Sequence, residues 1–424
     1  MTAKQVERLR GDLGRFVEAF SAQLGRSERR HWCGRYLEGL LLDGDRKSVS
    51  PMSARVEGGD EQSLQQFVNQ SPWSHEAVME RLRERMFSRS KEDDAVLVLD
   101  DTSLPKQGRH SVGVARQYCG ALGKISNCQS VVSWHWAGAK SHWPLAARLY
   151  LPKEWTDDAE RMERAGVPPG SRAFKEKWRL ALELLDAMKS QLPAYKAVVF
   201  DAGYGVVLPL LEELETRGER YVAQIPGNVA AWPADAEAVS GRPGANGRPR
   251  LHARVEDPAV RPLSATAWRD TLQADPGSWK TVTLPAAGSR TVKAAAVRVR
   301  GTQRKSRVRQ PGPERWLLVE ELPSGEFKYH LSNLPAGATV EELVRLAHQR
   351  WKIEQGYQQL KEELGLDHFE GRSWTGLHHH LTLCFMAYAF LADLRRRSPK
   401  KTPDPARGST LDERGARTPA LPKL

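Results

Sequence analysis

The chain is poor in cysteine. Cys33, Cys119, Cys128 and Cys384 are the four in 424 residues, and they form neither a Cys-x-x-Cys pair nor a close Cys/His framework. A disulfide scaffold and a structural zinc site are both disfavoured, so free thiols of a reducing compartment are expected. Long apolar runs are missing too. The longest, Leu381 to Ala392, has 12 residues, against the roughly 20 that a bilayer span requires. The opening MTAKQVERLRG has no apolar core or small-residue cleavage site of a secretory signal, so export and membrane insertion are not expected and a cytoplasmic location is. Acid is scarcer than base: 52 Asp and Glu against 64 Lys and Arg give a net charge of +12 and a pI near 9.6. That imbalance points to a polyanionic partner. With 40% hydrophobic and 27% charged residues the chain reads as globular, and its length suits roughly two to three domains.

Residues 1–92 carry helical periodicity and are expected to form a helical DNA-binding domain. Leu13, Phe16, Val17, Phe20 and Leu24 recur at three- and four-residue steps, and further amphipathic helices are predicted through Trp32 to Leu41, Glu61 to Val68 and Ser74 to Met86. From 93 to 226 the texture changes. AVLVLD is an apolar run ending in acid, 126–137 and 142–151 form a predicted hairpin, 174–192 is a helix stopped by Pro193, AVVFD is a second strand ending in acid, and a helix and the strand YVAQIP follow. Residues 227–335 are rich in Gly, Pro and Arg and alternate like strands, which predicts a β-rich insertion module. In 336–394, Thr339 with Glu342 makes a capping box and Gly365 a left-handed stop, predicting one helix over about 340–364 and a last apolar helix over 376–394. The tail 395–424 has nine basic and three acidic residues and is expected to be disordered. The fold class expected is therefore α/β: a ribonuclease-H-like mixed sheet with a β-rich insertion, preceded by an all-helical N-terminal domain.

Strands that end in Asp100 or Asp101 and in Asp201 would put carboxylates at the rim of a sheet. A third acid comes from QRWKIEQGYQQLKEELG. At about 100° per residue, Arg350, Glu354 and Lys361 fall within roughly 40° of one another on a regular helix. Three convergent carboxylates are the hard-oxygen set expected for Mg²⁺, and two such ions suit in-line displacement at a phosphodiester.

These residues resemble the DDE-type insertion-sequence transposases. Arg350, Glu354 and Lys361 match the Arg-x3-Glu-x6-Lys part of the family's Tyr-x2-Arg-x3-Glu-x6-Lys signature, with Ala347 where the signature has tyrosine. Asp201-Ala-Gly-Tyr204 is similar to the motif at the family's second aspartate, and LDDTSL to that at the first, where the acid directly precedes threonine. The resemblance therefore implies Asp101 as first ligand, with Asp100 as the alternative. It implies that Asp101, Asp201 and Glu354 hold two Mg²⁺ ions, with Mn²⁺ able to substitute, and that Arg350 and Lys361 position the scissile strand. It extends over about residues 35 to 392. The implied partners are terminal inverted repeats and target DNA, in a synaptic homodimer located with the nucleoid when bound. The implied activity is cut-and-paste transposition, and the insertion between Asp201 and Glu354 is similar to that of relatives that cut through a DNA hairpin.

Candidate DNA contacts are Lys106, Arg109, Trp351 and, in the acid-free run RVRGTQRKSRVR, Arg304, Lys305, Arg307 and Arg309, where neutralised phosphates would release counterions. A solvated loop accounts for that run equally well. Trp232, Trp268, Trp279 and Trp316 could stack on a flipped base but more often such residues are core. Consecutive His378, His379 and His380 point in different directions on a helix, which favours packing or phosphate contact over a metal site. Two competing functions remain open: a DNA-binding repressor without catalysis, and a nuclease of the same fold that cuts without joining.

Overall fold

In a computed structural model of the chain, residues 3–89, 92–139, 141–239, 253–284, 290–305 and 308–397 are described. They divide into two compact units. The first takes residues up to 95, 99–194 and those from 351 on; the second takes 96–98 and 195–350. In chain order the elements are α1 (Ala3–Glu18), α2 (Ser21–Leu24), α3 (Ser27–Leu41), α4 (Val49–Arg55), α5 (Glu61–Asn69), α6 (His75–Phe87), β1 (Val96–Pro105), β2 (Ala115–Cys119), β3 (Lys124–Ala137), β4 (His142–Tyr150), α7 (Lys153–Thr156), α8 (Ala159–Arg164) and α9 (Lys177–Met188). Then come β5 (Val198–Phe200), α10 (Ala202–Gly205), α11 (Leu208–Thr216), β6 (Tyr221–Ile225), β7 (Ala230–Pro233), β8 (Leu263–Ser264), α12 (Ala265–Gln273), β9 (Lys280–Leu284), β10 (Arg290–Lys305), β11 (Val308–Glu321), β12 (Phe327–Ser332) and α13 (Val340–His348). The chain closes with α14 (Trp351–Gln358), a π-helical turn Gln359–Glu363, and α15 (Trp374–Arg397).

In the first unit β3 lies beside β1 and pairs antiparallel with β4, while its opening residues pair with β2. α15 is apolar on nearly every side, the pattern of a helix enclosed by others. It packs against α3, α5, α6 and β4. The N-terminal helices therefore share a core with the strands instead of standing apart as a separate domain. Short polar starts fix their ends: Ser74 accepts the amide of Ala77 at 3.1 Å and Asp60 that of Ser63 at 2.7 Å, each satisfying an otherwise unpaired amide.

His378, His379 and His380 all turn into this core. Trp374 O takes a hydrogen bond from His378 Nδ1, and Leu149 N donates to its Nε2. Tyr36 and the carbonyl of Gly365 hold His380, while His379 lies flat on Trp73 with centroids 3.6 Å apart. They are packing residues. No helix among the described residues is long and apolar enough to cross a membrane, and all four cysteines are buried free thiols.

The second unit orders its strands β1 (96–98), β5, β6, β12, β11, β10, β7, β8, with β9 also on β10. β5 and β6 are parallel and β12 joins β6 antiparallel. The β-rich stretch 227–335 thus continues the sheet of this unit. α12 covers it through Trp268, Ala265 and Leu272 against Val299, Leu317 and Val319. Trp268 and Trp279 pack in the core under α12 and Trp232 is buried, each of the first two donating its indole N–H to a backbone carbonyl, while Trp316 is half-buried, donates to Pro335 O and lies under Arg298.

Arg315 is 1% exposed and bonds Glu215 at 2.9 Å, and Glu215 also accepts the Tyr221 hydroxyl at 2.7 Å. Removing one member of a buried pair leaves a charge without its counterion, which costs about 3–5 kcal/mol. Glu215→Ala is expected to destabilise the protein by about that much in urea melts, and the double change Glu215→Ala with Arg315→Met to recover most of it.

Three sequence expectations are corrected. Asp100 and Asp101 lie in the middle of β1, not at its end, because Thr102, Ser103 and Leu104 continue as buried strand residues. The helix expected over 340–364 is broken at residues 349 and 350, where the backbone tightens to three-residue hydrogen bonds, Gln349 N to Leu346 O and Arg350 N to Ala347 O. It resumes as α14 and widens into the π turn. The common stripe of Arg350, Glu354 and Lys361 therefore does not exist as on a regular helix. Gly365 does end the segment at φ +63°, as expected. Arg307, the Gly/Pro/Arg cluster 240–250 and the tail 398–424 lie outside the described residues.

Candidate active site

Neighbouring residues on a strand face opposite sides of the sheet, so Asp100 and Asp101 are in different surroundings. Asp101 Oδ2 receives Lys177 Nζ at 2.6 Å, from the first residue of α9, and the Ser130 hydroxyl of β3 at 3.0 Å. Trp134, four residues along from Ser130 on the same side of β3, donates to Ala181 O of α9 at 2.8 Å, so this face is the α9 face. The Asp101 and Lys177 side chains are 25% and 34% exposed, which leaves the pair reachable from solvent.

Asp100 faces the other way. Its carboxylate accepts the Asp101 amide at 2.8 Å, and its charge reaches Tyr357 of α14. Ser133 and Tyr357 share a 2.5 Å hydrogen bond on this side. The Tyr357 hydroxyl is pushed well above the usual phenol range, first by burial and then by the charge of Asp100. Asp100 and Asp101 are both half-buried: Asp100 lies on the side of α14, where its charge also reaches Lys361, and Asp101 on the side of α9.

α14 carries Glu354, which is exposed, one residue after the fully buried Ile353. Gly356 lets this helix approach β4, because a Cβ there would stand 2.2 Å from the His142 ring. Lys361, in the π turn, donates to Ser103 O of β1 at 3.0 Å, and burial lowers its pKa. A π turn of this kind often marks a functional position. Asp101, Glu354, Lys361 and Lys177 therefore belong to one unit and to elements that pack on or bond to β1 and β3.

Asp201 belongs to the second unit, directly after β5 as expected. It caps α10 by accepting Tyr204 N at 3.2 Å. Arg350, in the break between α13 and α14, is also assigned to the second unit. Among the described residues no group of three or more His, Cys, Asp or Glu side chains is gathered as a metal site. The donors fit Mg²⁺ by chemistry, all being carboxylates, and Asp101 already attracts a cation at one oxygen.

The remaining candidates divide. Lys106 turns inward, where its ammonium donates to Phe369 O at 2.5 Å, and burial lowers its pKa to about 8. Arg109 and Arg309 are exposed, and Trp351 is 49% exposed. Arg304 and Lys305 lie on β10 with their side chains outside the described residues. Sequence reasoning missed Lys177 and Ser130. A single lysine in FKEKW and a serine within a buried strand carry no spacing signal, and only the fold brings them to Asp101.

A mixed α/β fold with an acid pair on a central strand and a glutamate on a later helix defines a class of nucleic-acid-processing enzymes, and comparison with known sequences places the chain within it. The profile of the DDE superfamily endonucleases matches residues 19–305, more than half of the chain, and the protein belongs to that family. The match takes in Asp100, Asp101 and Asp201 and ends before Glu354. The chain is also similar to a probable transposase for insertion sequence element IS701 from Microchaete diplosiphon, 26% identical over 199 residues. That alignment covers 44% of this chain and 49% of the relative, so the chain spans about half the length of the curated relative it matches.

Proposed function

We propose that the protein is a transposase that binds the inverted repeats at the ends of its own element, cuts there, and joins the freed 3′ ends to target DNA. The observation that carries this reading is the Asp101–Lys177 pair, a partly exposed carboxylate held by a cation on the central strand of a DDE-family chain. On this reading Asp101, Asp201 and Glu354 hold the divalent ions, and the sheet order supports a ribonuclease-H-like core: β4-β3-β1 in one unit and β1-β5-β6 in the other. Mg²⁺, when bound, supplies activation of the attacking oxygen and stabilisation of the leaving one.

The chain's own residues do the rest. Lys177 restrains Asp101 before an ion arrives and competes with it for Oδ2. Lys361, tied to the β1 backbone, and Arg350 carry positive charge for the scissile strand, and Trp351, which follows Arg350 in the chain, offers an exposed ring. Water attack at phosphorus breaks the P–O3′ bond, leaving a 3′-hydroxyl and a 5′-phosphate; that hydroxyl then attacks a target phosphodiester and displaces a new 3′-oxygen. Two copies are proposed to act together in a synaptic dimer.

The test is a denaturing-gel assay with the full chain and duplexes cut from the flanks of its gene. Mg²⁺-dependent nicks at the element boundary, abolished by EDTA and followed by joined products in the presence of target plasmid, are expected. Binding without nicks would favour a repressor, nicks without joining a plain nuclease, and either overturns the proposal.

A further inference from the structure

A second basic site lies in the first unit, built from residues outside the carboxylate set. Four arginines line a cavity of about 580 Å³: Arg109 after β1, Arg161 and Arg164 on α8, and Arg372 before α15. The acid in the lining, Asp158, is engaged as the N-cap of α8, accepting Arg161 N at 2.9 Å. Outside the lining, Glu160 meets Arg164 at 3.2 Å in a largely exposed pair. More positive charge is gathered here than the neighbouring acids balance, an arrangement that favours anions.

The walls are tied together before any ligand arrives. Arg161 lies 3.8 Å over the Trp155 ring and donates to Arg109 O at 2.8 Å. Trp155 donates to Val114 O, Val112 N to Arg372 O and Trp374 N to Ala165 O, joining the three segments that carry the arginines. A fixed cavity loses little freedom on binding, and this volume lies within the range of ligand sites. Trp155 is 1% exposed and already covered by a guanidinium, so no ring is left for a base to stack on. The partner chemistry is phosphate.

We propose that this pocket grips backbone phosphates of DNA through its four guanidinium groups, as a sequence-independent anchor. This rests on the reading that the protein acts on DNA. The experiment measures fluorescence anisotropy of a labelled random-sequence duplex at several salt concentrations. The full-length protein is compared with the double variant Arg109→Glu, Arg164→Glu and with a charge-matched control, Lys189→Glu, Lys196→Glu, at two exposed positions after α9. The pocket variant is expected to lose at least tenfold in affinity, with the slope of log affinity against log salt shallower by about 2. Its thermal melt should match the wild type, since neither side chain supports the fold. The control should bind within about threefold of the wild type. Equal affinity and slope in both variants would overturn the pocket while leaving the DNA reading intact. A wild-type protein that binds no duplex at all overturns both.

Discussion

Asp101→Asn is expected to lower Mg²⁺-dependent cleavage by about 10³-fold or more, the scale on which loss of a group acting on transition-state charge is felt, whereas Asp100→Asn should keep cleavage within about tenfold of the wild type. The difference follows from the alternation of β1. Asp101 is held by Lys177 on the α9 face, and Asp100 lies on the side of Tyr357 and α14. Asp100→Asn should instead show itself in the fold, as a lower melting temperature and a changed Tyr357 environment in near-ultraviolet spectra. Equal losses of cleavage in the two variants would remove the distinction. Lys177 supplies a reading independent of turnover. With its ammonium gone in Lys177→Met, Asp101 Oδ2 no longer has a competing cation, and Mn²⁺ binding followed by electron paramagnetic resonance is expected to tighten. Weaker binding would mean that Lys177 organises the carboxylate more than it competes.

Acid should unfold the first unit sharply between pH 6.5 and 5. Burial holds His142 and His380 down at about 3, and His135 and His378 well below the usual imidazole range. Their bonds match neutral rings. His378 donates from one nitrogen and accepts at the other, and His142 links His135 to the Tyr388 hydroxyl. The unfolded chain binds protons at these sites near pH 6.5 and the folded one does not. Their contribution is therefore complete above that pH and is lost progressively as the pH falls towards 3. At pH 5 His142 and His380 each account for about 2 kcal/mol. Those two alone are a sizeable share of the stability of a typical domain, roughly 5–15 kcal/mol, and His135 and His378 act in the same direction. Urea midpoints measured from pH 7.5 to 5 should fall steeply, and His380→Gln should flatten the curve. A midpoint independent of pH over that range would show that the rings protonate in place.

Much of this architecture could be read from the residues. The hairpin β3–β4, the strands β5 and β6, the Thr339 cap and the Gly365 stop follow from alternation, turn chemistry and capping, all of which act within a few residues. The helix break at residues 349 and 350 and the π turn could not be read, because nothing in Gln349-Arg350 or QLKEE forbids a regular helix; tertiary contacts decide there. At the candidate site, the acids were legible through their motifs. Lys177, Ser130 and the four arginines of the anionic pocket were not, since each set is assembled from segments far apart in the chain. The inward turn of Lys106 was equally hidden, depending on carbonyls more than 250 positions away.

The widened turn at Gln359–Glu363 changes what the interval from Glu354 to Lys361 means. On a uniform spiral those seven steps would be an angular relation, preserved only if both ends kept the same pitch. Here the segment holds slack, and the lysine is fixed by its grip on the β1 backbone, not by its bearing around an axis. Excising one residue such as Gln359 would let the coil tighten and rotate everything downstream by about 100°. The ammonium would be pulled off Ser103, and the left-handed glycine would be carried out of its corner. A deletion of this kind in the gene would therefore leave every acidic residue intact and still disarm the protein.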